Sequence, residues 1–179
     1  HAYNLACFVS GLRATELAAD LQSFVPGRQL DDNAHMMLRF DGGACGMLWS
    51  SQVAPGNENG LKLRIYGETG GLEWKQEDPN YLWHTPFGQP KQLITRGGTG
   101  SGPQAAAVSR IPPGHPEGYL EGFANIYSGI ADAIEAVRAG DPLPDDAALL
   151  PGIQAGLDGM SFINACVTSS ANNAAWTKV

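Results

Sequence analysis

Apolar and polar residues alternate along much of the first half of the chain, and a period of two is typical of a half-buried β-strand. Residues 15–25 and residues 34–40 both show this alternation. The apolar positions of these two stretches are Leu17, Ala19, Leu21, Met36, Leu38 and Phe40. The opposite face of the second stretch carries His35, Met37 and Arg39.

Short glycine-rich turns connect the predicted strands. Asp41-Gly42-Gly43 predicts a hairpin into residues 44–53, and Gly67-Glu68-Thr69-Gly70-Gly71 joins residues 61–66 to residues 72–75. Further strands are predicted at residues 81–85 and 89–95. Because parallel strands would need long crossover connections, these short turns predict an antiparallel sheet.

The hydrophobic period lengthens to that of a helix at both ends of the chain. Leu5, Phe8 and Val9 predict a helix that ends at Gly11, in the position of a C-cap glycine. The later helical positions are Phe123, Ile126, Tyr127, Ile130, Ile134 and Val137, with a stop at Gly140, and then Ile153, Leu157, Met160, Ile163 and Val167, running to about Asn172. Strands followed by helices predict an α+β fold with an open, mainly antiparallel sheet and helices packed on one face.

Two features of this predicted fold remain open. The uncovered sheet face, with His35, Met37, Arg39 and Tyr66, is too apolar to be simply solvated, so it either meets a partner subunit or stays exposed. Residues 96–118 show almost no periodicity, and a segment of this length is either a lid or binding loop or a flexible surface loop.

Composition narrows the classes of function. The 179 residues carry a net charge of −7, which argues against a nucleic-acid partner because such proteins need a basic surface. We also expect no membrane partner, since no apolar run approaches the roughly 18 residues of a transmembrane helix. The three widely spaced cysteines predict buried thiols in a reducing compartment, and therefore a cytoplasmic location.

The residues offer little direct evidence of chemistry. Neither glycine cluster joins a strand to a helix, so the dinucleotide-binding fingerprint is absent, and the four histidines show no metal-ligand spacing. His115 lies between restricting prolines with Glu117 two residues away, which suits either an imidazole that acts on a polar substrate or a turn. Composition alone assigns no role to His1. Because the sequence does not start with Met, we expect an excised or processed piece.

Several motifs, in their order and spacing, resemble the glucose–fructose oxidoreductase/inositol dehydrogenase (Gfo/Idh/MocA) family along essentially the whole chain. The opening His1-Ala2-Tyr3-Asn4-Leu5 resembles the segment after that family's Asp-x-Gly-x-His signature. The other matching stretches are residues 40–43, 63–72, 114–119, 123–125, 156–163 and 169–170, with Trp176.

The resemblance implies a two-domain enzyme that transfers hydride between NAD or NADP and a sugar, cyclitol or related polyol. Residues 1–179 would form only its C-terminal domain, of the dihydrodipicolinate-reductase-like type, for substrate binding and for assembly into a homodimer or homotetramer. The N-terminal Rossmann domain, which holds most of the cofactor and the family's Glu-Lys-Pro lysine, would be absent.

Roles for individual residues also follow from the resemblance. The family's catalytic base is the histidine that matches His1, and Asn4 stands where many members have Asp. His115, Glu117 and Tyr119 are candidate substrate contacts, and no metal is expected. The alternative is a non-catalytic domain of the same fold, used for sugar sensing or dimerisation.

Overall fold

The computed structural model describes residues 1–179, apart from the side chains at positions 146 and 148. Its contacts divide the chain into two compact units, which are described separately below. The first unit comprises His1–Glu58 and Gly152–Val179, and the second comprises Asn59–Pro151.

The regular elements follow one another along both units. The helices are α1 (Ala2–Ser10), α2 (Pro103–Ala107), α3 (Tyr119–Ala139) and α4 (Ile153–Ala171). The strands are β1 (Ala14–Gln22), β2 (Asn33–Phe40), β3 (Cys45–Ser51), β4 (Lys62–Gly67), β5 (Gly70–Lys75), β6 (Tyr81–Pro86), β7 (Gln92–Thr95) and β8 (Thr177–Lys178). Short 3₁₀ turns lie at Asp41–Gly43 and Asp145–Leu149.

The first unit is a four-stranded antiparallel sheet in the order β3-β2-β1-β8, with α4 packed on one face. The buried core joins this sheet face to the helix and consists of Leu17, Ala19, Ala34, Met36, Leu38, Phe162, Ala165 and Cys166. The hydroxyl oxygen of Ser169 accepts the Ala19 N–H at 2.9 Å, and its hydroxyl donates to the Ala175 carbonyl at 2.7 Å. This fully buried serine ties the helix to the middle of the sheet.

Helix α1 ends at the predicted C-cap glycine, Gly11, and packs against α4. Gly11 adopts the left-handed conformation at φ 70°, and its N–H donates to the Cys7 carbonyl at 2.9 Å. The ring of Tyr3 stacks on that of Phe162, with 4.0 Å between the ring centroids. This contact fixes the start of α1 against the core of the first unit.

The second unit contains another four-stranded antiparallel sheet, in the order β4-β5-β6-β7. Tyr66 pairs with Gly71 and Gly67 pairs with Gly70, so the turn between β4 and β5 consists only of Glu68 and Thr69. Helix α3 contacts the turn at Asp145–Leu149 and ends at Gly140, which has φ 77°. No helix in the described part of the chain is both long and apolar enough to span a membrane.

The structure confirms the α+β class and the open antiparallel arrangement, but it divides the strands between two sheets. Tyr66 belongs to β4, whereas His35, Met37 and Arg39 belong to β2. The prediction of one sheet face that carries all four residues is therefore wrong. The reason is that no pairing between β3 and β4 continues the sheet across residues 52–61 among the described strand pairs.

Strands β1 and β7 are shorter than the sequence predicts, each for a local reason. Strand β1 stops at Gln22 because the buried carboxylate of Asp32 accepts the N–H groups of Phe24 and Val25 at 2.9 and 3.0 Å. Strand β7 begins only at Gln92, because the Gln89 N–H donates to the Pro86 carbonyl at 3.0 Å within a turn.

Candidate functional site

His1 occupies the N-cap position of α1 and is exposed. Its carbonyl accepts the Leu5 N–H at 2.9 Å, and among the described residues its imidazole makes no capping hydrogen bond to the helix. Asn4 is also exposed and follows three residues later, so the two side chains lie on the same side of α1.

Tyr3 lies on α1 between these two residues in sequence, and it is partly buried where it packs on Phe162. Burial, with Cys7 as the next cause, raises the pKa of Tyr3 well above its usual range. Its hydroxyl therefore stays protonated at neutral pH. The sequence does not predict this aromatic contact, because its partner Phe162 is far away along the chain.

The three candidate contacts of the second unit line a single cavity of about 700 Å³. His115 and Tyr119 are exposed at this cavity, whereas Glu117 is buried in its wall. Other polar residues that line it are Glu77, Asp78, Asn80, Thr95, Arg96 and Glu121. The structure therefore brings the three predicted residues to one cavity, where His115 and Tyr119 are exposed and Glu117 is buried.

Glu117 is engaged by the protein itself. One carboxylate oxygen accepts the Arg110 N–H at 2.5 Å, and the other accepts the Ile111 N–H at 3.3 Å and lies 2.5 Å from the Arg96 guanidinium. Its side chain is only 5% exposed. Both oxygens therefore hold residues 96–118 in place, and substrate binding by Glu117 stays an untested prediction.

Arg96 is a residue that the sequence reasoning missed. Its guanidinium donates to the Asn80 side chain at 2.7 Å and to the carbonyls of Ile111 and His115 at 2.6 and 2.8 Å. The signal that could have found it is its position, since Arg96 is the charged residue at which the strand pattern stops. It fixes the backbone of His115 directly.

The start of α3 completes this wall of the cavity. The Glu121 carboxylate accepts the Gly118 N–H at 2.9 Å, and this hydrogen bond is the main cause that lowers the pKa of Glu121. The ring of Tyr119 lies 5.0 Å from that of Phe123. The exposed imidazole and phenol next to these fixed groups can exchange hydrogen bonds with the hydroxyls of a polar ligand.

His1 and Asn4 belong to the first unit, whereas His115, Glu117 and Tyr119 belong to the second. Each group is therefore considered by itself. Throughout the described residues every strand pairing is antiparallel, so the strand–glycine loop–helix unit that binds a dinucleotide is not present there. The side chains described also contain no cluster of three or more metal-ligand residues.

Comparison with known proteins finds similarity to one oxidoreductase family. The family model described as the GFO/IDH/MocA C-terminal domain matches residues 1–73. The uncharacterized oxidoreductase YfiI of Bacillus subtilis (strain 168) is 34% identical over 168 residues, which is 93% of this chain and 43% of that protein.

Two solved structures are similar along nearly the whole chain. An oxidoreductase from Sinorhizobium meliloti is 64% identical with a TM-score of 0.92, and the match covers 98% of this chain and 49% of that one. An inositol dehydrogenase homolog from Azotobacter vinelandii, complexed with NADH and myo-inositol, is 36% identical with a TM-score of 0.86, covering 96% and 45%. The chain spans about half the length of these relatives. Residues 1–73 thus match the C-terminal domain of the GFO/IDH/MocA family, and the chain is similar along nearly its whole length to oxidoreductases.

Proposed function

We propose that this chain is the C-terminal domain of an NAD(P)-dependent oxidoreductase that acts on a sugar, cyclitol or related polyol. The observation that carries the proposal is the similarity to the Azotobacter vinelandii structure, an inositol dehydrogenase homolog complexed with NADH and myo-inositol. The reaction would move a hydride between the nicotinamide and a carbinol carbon of the substrate. The chemistry would therefore need a cofactor-binding domain besides this chain.

The nicotinamide cofactor does not fit the described residues of this chain, because their strand pairings are all antiparallel. We assign its binding to a separate Rossmann domain. The choice between NAD and NADP would be made there, so both remain in the proposal.

His1 is our candidate for the catalytic base. It would take the proton of the substrate hydroxyl when the hydride leaves the same carbon, and this oxidises the alcohol to a carbonyl. Its side chain is exposed at the N-terminus of α1, and imidazole is the side chain most often used as a general base. Asn4, one turn later, is a candidate to bind a substrate hydroxyl.

The cavity around residues 115–119 is our second candidate region for substrate. His115 and Tyr119 are exposed there and can bond to hydroxyl groups. We assign Glu117 a positioning role, because both of its oxygens hold neighbouring backbone. Each of these assignments is independent of the one for His1.

We also propose that the uncovered face of the first sheet binds a second copy of this chain, which gives a homodimer or homotetramer. That face presents Met37 on β2 and Met47 and Trp49 on the edge strand β3, all more than half exposed. Arg39 and Glu16 form an ion pair on the same face, 3.0 Å long, so their charges are paired with each other. An apolar patch with paired charges beside it is typical of subunit interfaces. We further propose that the protein is cytoplasmic.

A second candidate function is a non-catalytic domain for sugar sensing or dimerisation, which the apolar sheet face favours. An activity assay separates the two candidates. The longer protein, with the proposed Rossmann domain, should reduce NAD or NADP in the presence of myo-inositol, D-glucose or another polyol. If it binds one of these compounds and turns over none of them with either cofactor, the non-catalytic function is the correct one.

A further inference from the structure

The second unit has another cavity, of about 380 Å³, that lies apart from residues 115–119. Aromatic side chains from separate strands and turns line it. Tyr66 on β4 is 76% exposed and Phe87 in the β6–β7 turn is 82% exposed, while Trp83 on β6 is partly covered. Three aromatic rings around one open cavity are not needed for the core of the unit, which points to a ligand as their function.

Part of the cavity lining consists of backbone without side chains, at Gly70 and Gly71. A Cβ atom at Gly71 would lie 3.0 Å from Cδ1 of Tyr66, so the absence of a side chain lets the Tyr66 ring lie across the sheet. A Cβ atom at Gly70 would lie 2.6 Å from the Thr85 carbonyl oxygen, so β5 and β6 approach each other as only glycine permits. The two glycines therefore keep the cavity open and its ring wall in place.

The polar groups in the cavity neutralise each other. Nζ of Lys91 lies 2.9 Å from a carboxylate oxygen of Glu73 and 4.8 Å from the centre of the Trp83 ring. This hydrogen bond is the main cause that lowers the pKa of Glu73, so the carboxylate is charged. Thr85 and Gln89 add a hydroxyl and an amide. The lining therefore offers several donors and acceptors and one pair of opposite charges, and Arg64 and Lys75 act on the Glu73 carboxylate from outside it.

The walls are held together by the backbone. The N–H of Phe87 donates to the carbonyl of Thr69 at 2.8 Å, which joins the β6–β7 turn to the β4–β5 turn. Gly88 then turns the chain with φ 72°. The ring of Phe87 is therefore presented by a fixed turn, so the backbone there would lose little conformational freedom when a ligand binds.

We propose that this cavity binds a neutral sugar ring, at a site distinct from the residues of the proposed reaction. Aromatic faces pack against the apolar C–H face of a pyranose, and a carboxylate, an ammonium, an amide and a hydroxyl bond to its hydroxyl groups. Because Lys91 and Glu73 are paired, the lining presents no unpaired charge to select an ionic ligand. The volume is within the range of about 300–1,000 Å³ of small-molecule sites. The inference goes beyond the proposed oxidoreductase function and does not depend on it.

The test is a titration of the 179-residue chain with D-glucose, followed by its amide NMR spectrum. The amides of Gly70, Gly71 and Phe87 should shift saturably, with a dissociation constant of about 1–10 mM, as expected for a small polar ligand in an open site. Phe87→Ala should weaken binding about fivefold, the loss expected for one aromatic contact. Phe24→Ala, which removes another exposed ring, in the first unit, should leave it unchanged.

Four results would overturn the proposal. One is the absence of saturable shifts at these amides up to about 100 mM glucose, well above the expected dissociation constant. Another is saturable binding that Phe87→Ala and Glu73→Gln both leave unchanged. The third is binding of benzyl alcohol at these amides without binding of glucose, which would make the cavity a site for apolar rings. Shifts confined to the amides of residues 114–121 would support the proposed function and overturn this second site.

Discussion

Arg96 and Glu117 form a buried ion pair, 2.5 Å long, that joins the two ends of the aperiodic segment at residues 96–118. Their side chains are 16% and 5% exposed. Between them the chain forms only the short helix α2, and Arg110 anchors it further by donating to the side chains of Asn125 and Ser128 at 2.5 and 2.7 Å. The segment thus has a defined course, set by charged groups rather than by hydrophobic periodicity.

Loss of this ion pair should destabilise the second unit strongly. We expect Arg96→Ala to lower the free energy of unfolding by about 3–5 kcal/mol, because it leaves a buried carboxylate without its partner. Urea denaturation measures the change. Arg13→Ala, which removes an exposed ion pair with Asp158, should cost less than about 1 kcal/mol. Equal losses in the two variants would contradict the role of the buried pair.

Acid should destabilise the first unit through Asp32. Hydrogen bonds from the N–H groups of Phe24 and then Val25 lower the pKa of Asp32 below its ordinary value. A lowered pKa in the folded state stabilises the protein above the unfolded-state value of about 4, and this contribution is lost as the pH falls through the folded-state pKa. Denaturation midpoints between about pH 3 and pH 7 should fall less steeply with acid in Asp32→Asn than in the wild type. The exposed neighbour provides the control, since Asp31→Asn should keep the wild-type slope.

Substitution of His1 should slow the reaction of the longer enzyme. We expect His1→Ala to lower kcat at least about a hundredfold, the lower end for loss of a general base, with cofactor affinity nearly unchanged. Steady-state kinetics across about pH 6–9, where histidine titrates, give the measurement. Phe8→Ala, on the same helix and also exposed, should retain activity. If His1→Ala stays within a few-fold of the wild type over this range, another residue is the base.

The 179-residue chain alone should not bind NAD or NADP. The reason is that its described strands pair only in antiparallel fashion, without a strand–glycine loop–helix unit. Calorimetric titration with either dinucleotide should give no saturable heat. Micromolar binding of NAD or NADP by this chain would refute the assignment of the cofactor to a separate domain.

A charge in the apolar patch of the first sheet face should prevent self-association. We expect the chain to form a dimer or larger oligomer at tens of micromolar, roughly the range in which a standard interface persists. Met47→Lys should shift it towards the monomer, because Met47 is 87% exposed at that face and a lysine there would be desolvated. Leu120→Lys, at an exposed position of α3, should leave the assembly intact. Sedimentation of a wild-type monomer would refute the proposed interface.

The sequence by itself determined the local structure. The alternation in residues 34–40, the turn at Asp41–Gly43 and the helical stop at Gly140 each depend on neighbours within a few residues, so the printed order of side chains was enough to predict them. The antiparallel arrangement followed in the same way from turns too short for any crossover.

Only the tertiary structure decided which distant residues meet. It placed Tyr66 in a different sheet from His35, because sheet membership depends on pairing between strands and not on the pattern within one strand. It also turned Glu117 inward to Arg96 and left His115 at the surface, although all three lie in one aperiodic segment. Burial and ion pairing arise from contacts between remote parts of the chain, and periodicity carries no information about them.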